Sequence, residues 1–311
     1  MFVMNAHITI KDIELHAVTY VEIVRSLEQL TATAKITLPK SVKLKDTMLK
    51  DLLQNGDKVS IKLGYNNTLN EEFNGYIVKV MPTVPMQIFC EDAMWILKQN
   101  KIVQSFRNPT LENIVTAICP NIEANVAKFQ FGLFRINGTS SAKVFAALQE
   151  KYGIDSLFFN NMLYVGTTPD SVKTVTIDLQ KNTVEHENDL QFRLQSEKKV
   201  SIKAISIHPD NTTTEVVVGD AEGEEKKVVL YNGNKTTLEK QANILYNKYM
   251  YSGYEGSITT FGEPFVTIAD NVSLIDNEYP ERAGSYKVKA VTTKFDNSGY
   301  RRQLTLAEKA D

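Results

Sequence analysis

The sequence predicts a mainly β protein with a small α/β insertion, and three observations carry that expectation. Leu30, Ala32, Ala34, Ile36 and Leu38 alternate with Thr31, Thr33, Lys35 and Thr37, the period of a half-buried strand. The same period returns at Val59, Ile61 and Leu63 and through most of the last third. Between about residues 98 and 173 the apolar spacing turns helical instead.

Taken in order, the first strand ends at Pro39, because proline cannot donate to a strand ladder. Asp46 is placed to cap a short helix through residue 53, with Met48, Leu49, Leu52 and Leu53 as its apolar stripe and Gly56 beyond it. The polar turn Asn66-Asn67-Thr68 leads to Phe73 and a strand over residues 76–80, and residues 86–90 form another strand. Asp92 is a candidate cap for residues 93–97. Thr110 is expected to cap a helix over 111–118, with Leu111, Ile114, Val115 and Ile118 on one face and Pro120 as its stop. Ser140 or Ser141 opens a second helix over 143–152, with Val144, Ala147 and Leu148 inward and Gly153 at its end. Residues 157–165 read as a hairpin turning at Asn160-Asn161.

Strands then resume over 175–179, 200–207, 213–218 and 227–231. Val200 to Ala204 alternate in one phase and Ile205 to Ile207 in the other, which predicts a β-bulge. Leu238, Ala242, Leu245 and Tyr249 fall at helical spacing, with Thr236 or Thr237 as cap. Strands around 272–274, 286–291 and 303–306 close the chain. The expected domains are 1–98, 99–173 and 174–311. The two outer regions also echo each other: Asp57-Lys58-Val59-Ser60-Ile61 precedes Gly75-Tyr76-Ile77-Val78-Lys79-Val80, and Asp270-Asn271-Val272-Ser273-Leu274 precedes Gly284-Ser285-Tyr286-Lys287-Val288. Duplication and ordinary strand composition both account for this echo, and two copies do not make a solenoid.

At 311 residues the chain exceeds what one core usually supports. A net charge of −2 with dispersed Lys and Arg argues against a dedicated nucleic-acid or anionic-membrane binder. Cys90 and Cys119 are too few for a disulfide framework and read as buried thiols. No apolar run has the roughly 18–20 residues of a membrane-spanning helix, and the first charge comes only at Lys11, unlike a secretory signal. The expectation is a soluble protein made in the cytoplasm, without stable membrane insertion. Sequons such as Asn137-Gly138-Thr139 and Asn211-Thr212-Thr213 then read as turn chemistry.

The motifs of nucleotide-binding loops, hydrolase elbows and zinc proteases are absent. His186-Glu187 has Leu190 where a second histidine is needed, and His7, His16 and His208 stand isolated, so no metal ligand, catalytic residue or cofactor site is assigned. Asp220, Glu222, Glu224 and Glu225 carry calcium-type oxygens, but Gly219, Gly223, Lys226 and Lys227 around them favour a solvated hairpin tip. In Glu71-Glu72 and Glu91-Asp92 neighbouring side chains point to opposite strand faces, which keeps them from acting as acid and base together. Arg301-Arg302 beside Tyr300 reads either as a phosphate contact or as a salt-bridged pair.

Val24-Arg25-Ser26-Leu27, Ala34 through Pro39, Asn55-Gly56-Asp57-Lys58-Val59, Gly64-Tyr65 and Phe73-Asn74-Gly75 resemble the opening barrel of phage baseplate hub proteins of the late control protein D type. Tyr254-Glu255-Gly256, Phe261-Gly262-Glu263-Pro264, Gly284 through Val288 and Gly299-Tyr300-Arg301-Arg302 resemble that family's closing barrel. These motifs lie in both outer thirds, while the middle third matches only in its α/β character. The resemblance implies a non-enzymatic homotrimer of two tail-tube-like β-barrels per chain, a ring that adapts a sixfold tail tube to a threefold spike and encloses a channel. Implied partners are the tail tube or a tube initiator, a spike protein, other baseplate proteins, and DNA passing without sequence-specific contact. The implied location is the tail baseplate of a virion or of a phage-derived injection particle. Related valine-glycine-repeat proteins of type VI secretion continue into a further barrel and β-helix; here the sequence stops at Asp311, so the spike is expected on a separate chain. Two other readings are a tail-tip receptor- or glycan-binding module, resting on Tyr246, Tyr249, Tyr251 and Tyr254, and a tail-associated cell-wall hydrolase, which lacks a nucleophile or metal signature.

Overall fold

The computed structural model describes residues 3–39, 43–44, 47–169, 173–184, 189–280 and 283–310. The expected cap Asp46 and the pair His186-Glu187 lie outside them. Contacts divide the chain into two compact units, one comprising Met1–Trp95, Asp170–Gln191 and Tyr254–Asp311, the other Ile96–Pro169 and Phe192–Gly253.

The first unit is mostly β, built on a thirteen-stranded sheet. The alternation at residues 30–38 becomes the strand Thr33–Leu38, with Ala34, Ile36 and Leu38 buried. Asn66 and Asn67 both take left-handed backbone (φ +50° and +65°), the geometry that reverses a two-residue hairpin, and join Lys58–Tyr65 to Thr68–Met81. Ile8, Ile10, Ile36, Ile61, Ile77 and Ile88 anchor the core, each contributing about 1.5–3 kcal/mol on full burial. The expected helix before Gly56 shrinks to one turn, Leu49–Leu52, after a two-residue strand at Thr47–Met48.

Six strands repeat in the same spatial and chain order. In the first set the sheet runs Tyr20–Ser26, Thr33–Leu38, Met86–Glu91, Thr68–Met81, Lys58–Tyr65, Met4–Ile10. In the second it runs Asp189–Arg193, Gly253–Phe261, Gly299–Ala310, Gly284–Asp296, Asn271–Ile275, Thr174–Asp178. At the last position the pairing differs: Met4–Ile10 is antiparallel to its neighbour, whereas Thr174–Asp178 is parallel to its own.

The echo noted in the sequence coincides with a repeated turn. The Asp57 amide donates to Gln54 O at 3.2 Å and its carboxylate accepts from Gln54 N at 2.8 Å; Gly56 N donates to Ile77 O at 2.7 Å, and Ile77 N to Asp57 O at 2.9 Å. The Asp270 amide donates to Thr267 O at 3.3 Å and its carboxylate accepts from Thr267 N at 2.9 Å; Ala269 N donates to Val288 O at 2.9 Å, and Val288 N to Asp270 O at 2.9 Å. Gly56 and Ala269 are both left-handed, at φ +91° and +69°.

Among the described residues these pairings close neither set into the expected barrel. For the first set the reason is hydrogen bonding across the repeat: its edge strand Tyr20–Ser26 pairs with residues 290–296 of Gly284–Asp296, so the ladder continues from one set into the other.

In the second unit, Thr110 and Asn113 form a reciprocal cap for Leu111–Ile118, which buries Leu111, Ile114, Val115 and Ile118 as the spacing predicts. Ser140 caps Ser141–Tyr152, and Gly153 ends it in left-handed conformation. Asn160 and Asn161 turn the hairpin of Ser156–Phe159 and Met162–Val165. Three expectations change. The Val200–Ile207 strand pairs on both sides without a register shift, so its phase change reflects burial on both faces and not a bulge. Asn234, not Thr236 or Thr237, caps Lys235–Tyr249, because its side-chain oxygen is the one that reaches Thr237 N, at 2.8 Å. Tyr249 is 36% exposed, outside the stripe of Leu238, Gln241, Ala242 and Leu245.

The acidic segment is not a hairpin tip either. Thr213–Gly219 and Glu224–Tyr231 lie on opposite sides of Val200–Ile207, so residues 220–223 cross over the start of that strand. Asp220 N donates to Val200 O at 2.9 Å and Glu224 N to Lys199 O at 3.0 Å. A Cβ on Gly219 would lie 2.2 Å from Val200 O, and one on Gly223 2.5 Å from Val200 N, so the crossing needs both glycines.

Candidate functional site

Glu72 is the most unusual side chain of the large sheet, and a β-bulge puts it there. Ile61 pairs with Phe73 and Lys62 with Glu71, leaving Glu72 as the extra residue of its strand. Glu71 stays exposed while Glu72 and Phe73 are both buried, so the bulge turns a carboxylate inward. It meets residues from the other set of strands. Arg302 Nη1 donates to Glu72 Oε2 at 3.1 Å, and Nη2 donates to Glu72 Oε1 and, at 2.6 Å, to the Tyr300 hydroxyl. Tyr300 Oη donates to Glu72 Oε1, and Arg302 Nε to Gly262 O at 2.8 Å. Arg25 Nη2 donates to the Glu72 carbonyl. Phe265 lies under the Arg302 guanidinium at 4.4 Å.

Both Glu72 and Arg302 are almost fully buried, where an unpaired charge is strongly unfavourable. Here the bidentate geometry and the added hydrogen bonds answer most of that cost. Burial drives the Tyr300 phenol far above its usual range, with the Arg302 charge opposing and Glu72 adding to the rise. Burial pulls Arg302 down, but Glu72 and Tyr300 outweigh it and leave the guanidinium above its usual value. The cluster is therefore a fixed ionic joint between Thr68–Met81 and Gly299–Ala310. Arg302 is salt-bridged and inaccessible to phosphate, while Arg301 lies 4.6 Å over Phe261.

The remaining candidates resolve one by one. Cys90 and Cys119 are buried free thiols, each pushed up to about 12 by burial, which leaves them unreactive. His208 is held by Asn232 at 3.3 Å and Thr214 at 2.9 Å. Glu224 pairs with Lys226, and Glu222 lies 4.0 Å from Lys199, so these two acids face lysines, while the Asp220 carboxylate accepts from Glu222 N at 3.0 Å. Asp92 is buried; its carboxylate accepts from Ala32 N at 2.8 Å and Met94 N at 3.0 Å, and burial raises it to about 6. Of the tyrosine series, Tyr254 is buried 4.9 Å from Tyr286, and Tyr251 carries the Lys198 ammonium 4.0 Å over its ring.

His7 and His16, which stand apart in the sequence, are brought together with Glu14. The register of one short hairpin is the signal that pairs them. In the second unit, a mostly apolar cavity of about 340 Å³ is lined by Leu133, Ile136, Val144, Leu148, Tyr152 and Tyr231 among others.

No family profile matches the sequence, and no curated protein does. Solved structures do match. A 43 kDa tail protein of prophage MuSo2 from Shewanella oneidensis is 16% identical, with a TM-score of 0.65 over 98% of each chain. A tail protein from Neisseria meningitidis MC58 is 14% identical, with a TM-score of 0.70 over 99% of this chain and 97% of that one. The E. coli c3393 protein, described as a type VI secretion component structurally similar to T4 tail proteins gp27 and gp5, is 11% identical, with a TM-score of 0.65 over 98% of this chain and 77% of that one. The fold is thus one found in phage tail proteins and their secretion-system counterparts.

Proposed function

We propose that this chain is a structural hub of a phage tail baseplate or phage-derived injection particle, and that it works as a homotrimeric ring. The repeated six-strand path, with the same Asp turn in each copy, is the observation that carries the reading. Two similar modules per chain present six similar units in a trimer, which is what a threefold ring needs to abut a sixfold tube. In this reading residues 1–98 and 174–311 supply two tube-like barrel walls, the second interrupted by the α/β material of 192–253, and 99–173 forms the rest of that insertion. The Glu72–Arg302 joint makes the two modules one rigid segment. The tube or its initiator docks on one side, a separate spike chain on the other, and other baseplate proteins surround the ring. DNA or effector passes through without sequence-specific contact. No bond is made or broken. The shared fold with tail proteins supports this reading.

Light scattering after size exclusion tests it. The expected species has three times the 35.0 kDa chain mass, alone or on adding tube protein, with rings visible by electron microscopy. A strict monomer at high concentration that forms no ring with tube protein would overturn it. The apolar cavity beside the half-exposed Tyr231 favours a second reading, a tail-tip receptor- or glycan-binding module. Glycan-array binding by the isolated monomer is its expected sign.

A further inference from the structure

The strands Met4–Ile10 and Ile13–Leu15 pair with Ile8 opposite Leu15, Thr9 opposite Glu14 and Ile10 opposite Ile13. Ile8 and Ile10 are fully buried, so His7 and Thr9 take the other face. One further step of the register sets His16 across from His7, with Glu14 diagonal to it on the same face. The two imidazole rings stack with centroids 4.9 Å apart. Glu14 Oε2 lies 3.7 Å from His7 Nε2 and 3.8 Å from His16 Nε2.

Those separations are too long for hydrogen bonds. His7 Nε2 is nonetheless buried and has no hydrogen-bond partner, an arrangement that proteins rarely leave unanswered. Three lone-pair donors therefore converge, within 4.8 Å of one another, without satisfying each other. The ligand atoms of a tetrahedral zinc ion stand about 3.3 Å apart, given metal–ligand bonds of about 2.0–2.2 Å. Two of the three pairs need to close by only a few tenths of an ångström. The side chains of Glu14 and His16 are 63% and 67% exposed, so they have room to make that adjustment. Lys62, opposite His7 on the neighbouring strand, is exposed and can keep its ammonium in water.

We propose that His7, Glu14 and His16 bind one divalent transition-metal ion of the zinc class, with water completing the coordination. Two imidazoles and one carboxylate select such borderline ions over calcium or magnesium, which prefer all-oxygen shells. The ion clips the short Ile13–Leu15 strand onto Met4–Ile10 and gives the buried His7 nitrogen its partner.

The test uses the full chain, free of any histidine tag, titrated with Co2+ and then Zn2+. One Co2+ per chain is expected, with the visible absorption of a four-coordinate site, displaced by Zn2+. His16→Ala and Glu14→Gln alter exposed side chains and are each expected to weaken Zn2+ binding by about tenfold or more, while His208→Asn and His186→Asn leave it unchanged. Zn2+ should also raise the thermal midpoint of the parent chain and not of His16→Ala. Absence of Co2+ binding, binding that survives His16→Ala, or binding lost in His208→Asn or His186→Asn would overturn the assignment.

Discussion

Asp57 and Asp270 close the same turn with the same four bonds, yet the two modules surround them differently. Asp57 receives the Lys11 ammonium at 2.7 Å and follows a glycine. Asp270 is buried deeper, burial raises its carboxyl, and it follows an alanine held in left-handed backbone. The comparison teaches that the backbone bonds of the turn, not its neighbours, define the repeat. A carboxylate that caps a backbone amide three residues earlier tolerates either setting.

The largest way to probe the pair of modules is to cut the joint between them. Glu72→Ala leaves Arg302 buried without its counter-ion and is expected to cost about 3–5 kcal/mol in urea unfolding. A single transition shifted as a whole means that the two modules unfold together, and two separate transitions would show them independent.

Acid titration probes the buried carboxyls of both modules next. Asp92 is raised to about 6 by burial, so between about pH 4 and 6 the folded chain holds a proton that the unfolded chain has lost. Stability therefore falls as pH rises through that window, by up to about 3 kcal/mol, and levels off above it. Asp270, also raised by burial, adds a loss of the same sign. Thermal midpoints followed against pH should flatten in Asp92→Asn.

The two turns can then be compared directly. Asp57→Ala and Asp270→Ala each strand one backbone amide, and each is expected to lose about 1–3 kcal/mol in chemical unfolding. A large inequality would mean that the surroundings matter more than the shared bonds. Smallest and opposite in sign are the preceding residues: Ala269→Gly relieves a left-handed alanine and should gain up to about 1 kcal/mol. Gly56→Ala should lose at least as much by the same measurement, since its Cβ would also stand 2.9 Å from Trp95 Cη2.

What the sequence made legible was local. The alternation around Ile36, the caps Thr110 and Ser140 and the Asn-Asn turns depend on residues a few positions apart, and the structure places them as the patterns predict. What it hid was pairing at long range. Nothing beside Glu72 announces Arg302, 230 positions away, and no periodicity reveals that Tyr20–Ser26 bonds to Gly284–Asp296. Strand order was hidden for the same reason, which is why the crossover at residues 220–223 read as a hairpin. His7 and His16 were separable from isolated histidines only by counting the hairpin register.

The pairing of Tyr20–Ser26 with residues 290–296 also sets a timetable for the nascent chain. The six strands of the first set can assemble once residue 91 is made, but one margin of that assembly waits for a partner synthesised much later. At bacterial to eukaryotic elongation rates, the roughly 200 intervening residues take on the order of 10–40 s. During that interval Tyr20–Ser26 offers unsatisfied amides and carbonyls to any strand nearby, including one from another ribosome on the same message. Crowded synthesis thus exposes this chain to premature pairing at the very seam that later unites its two halves.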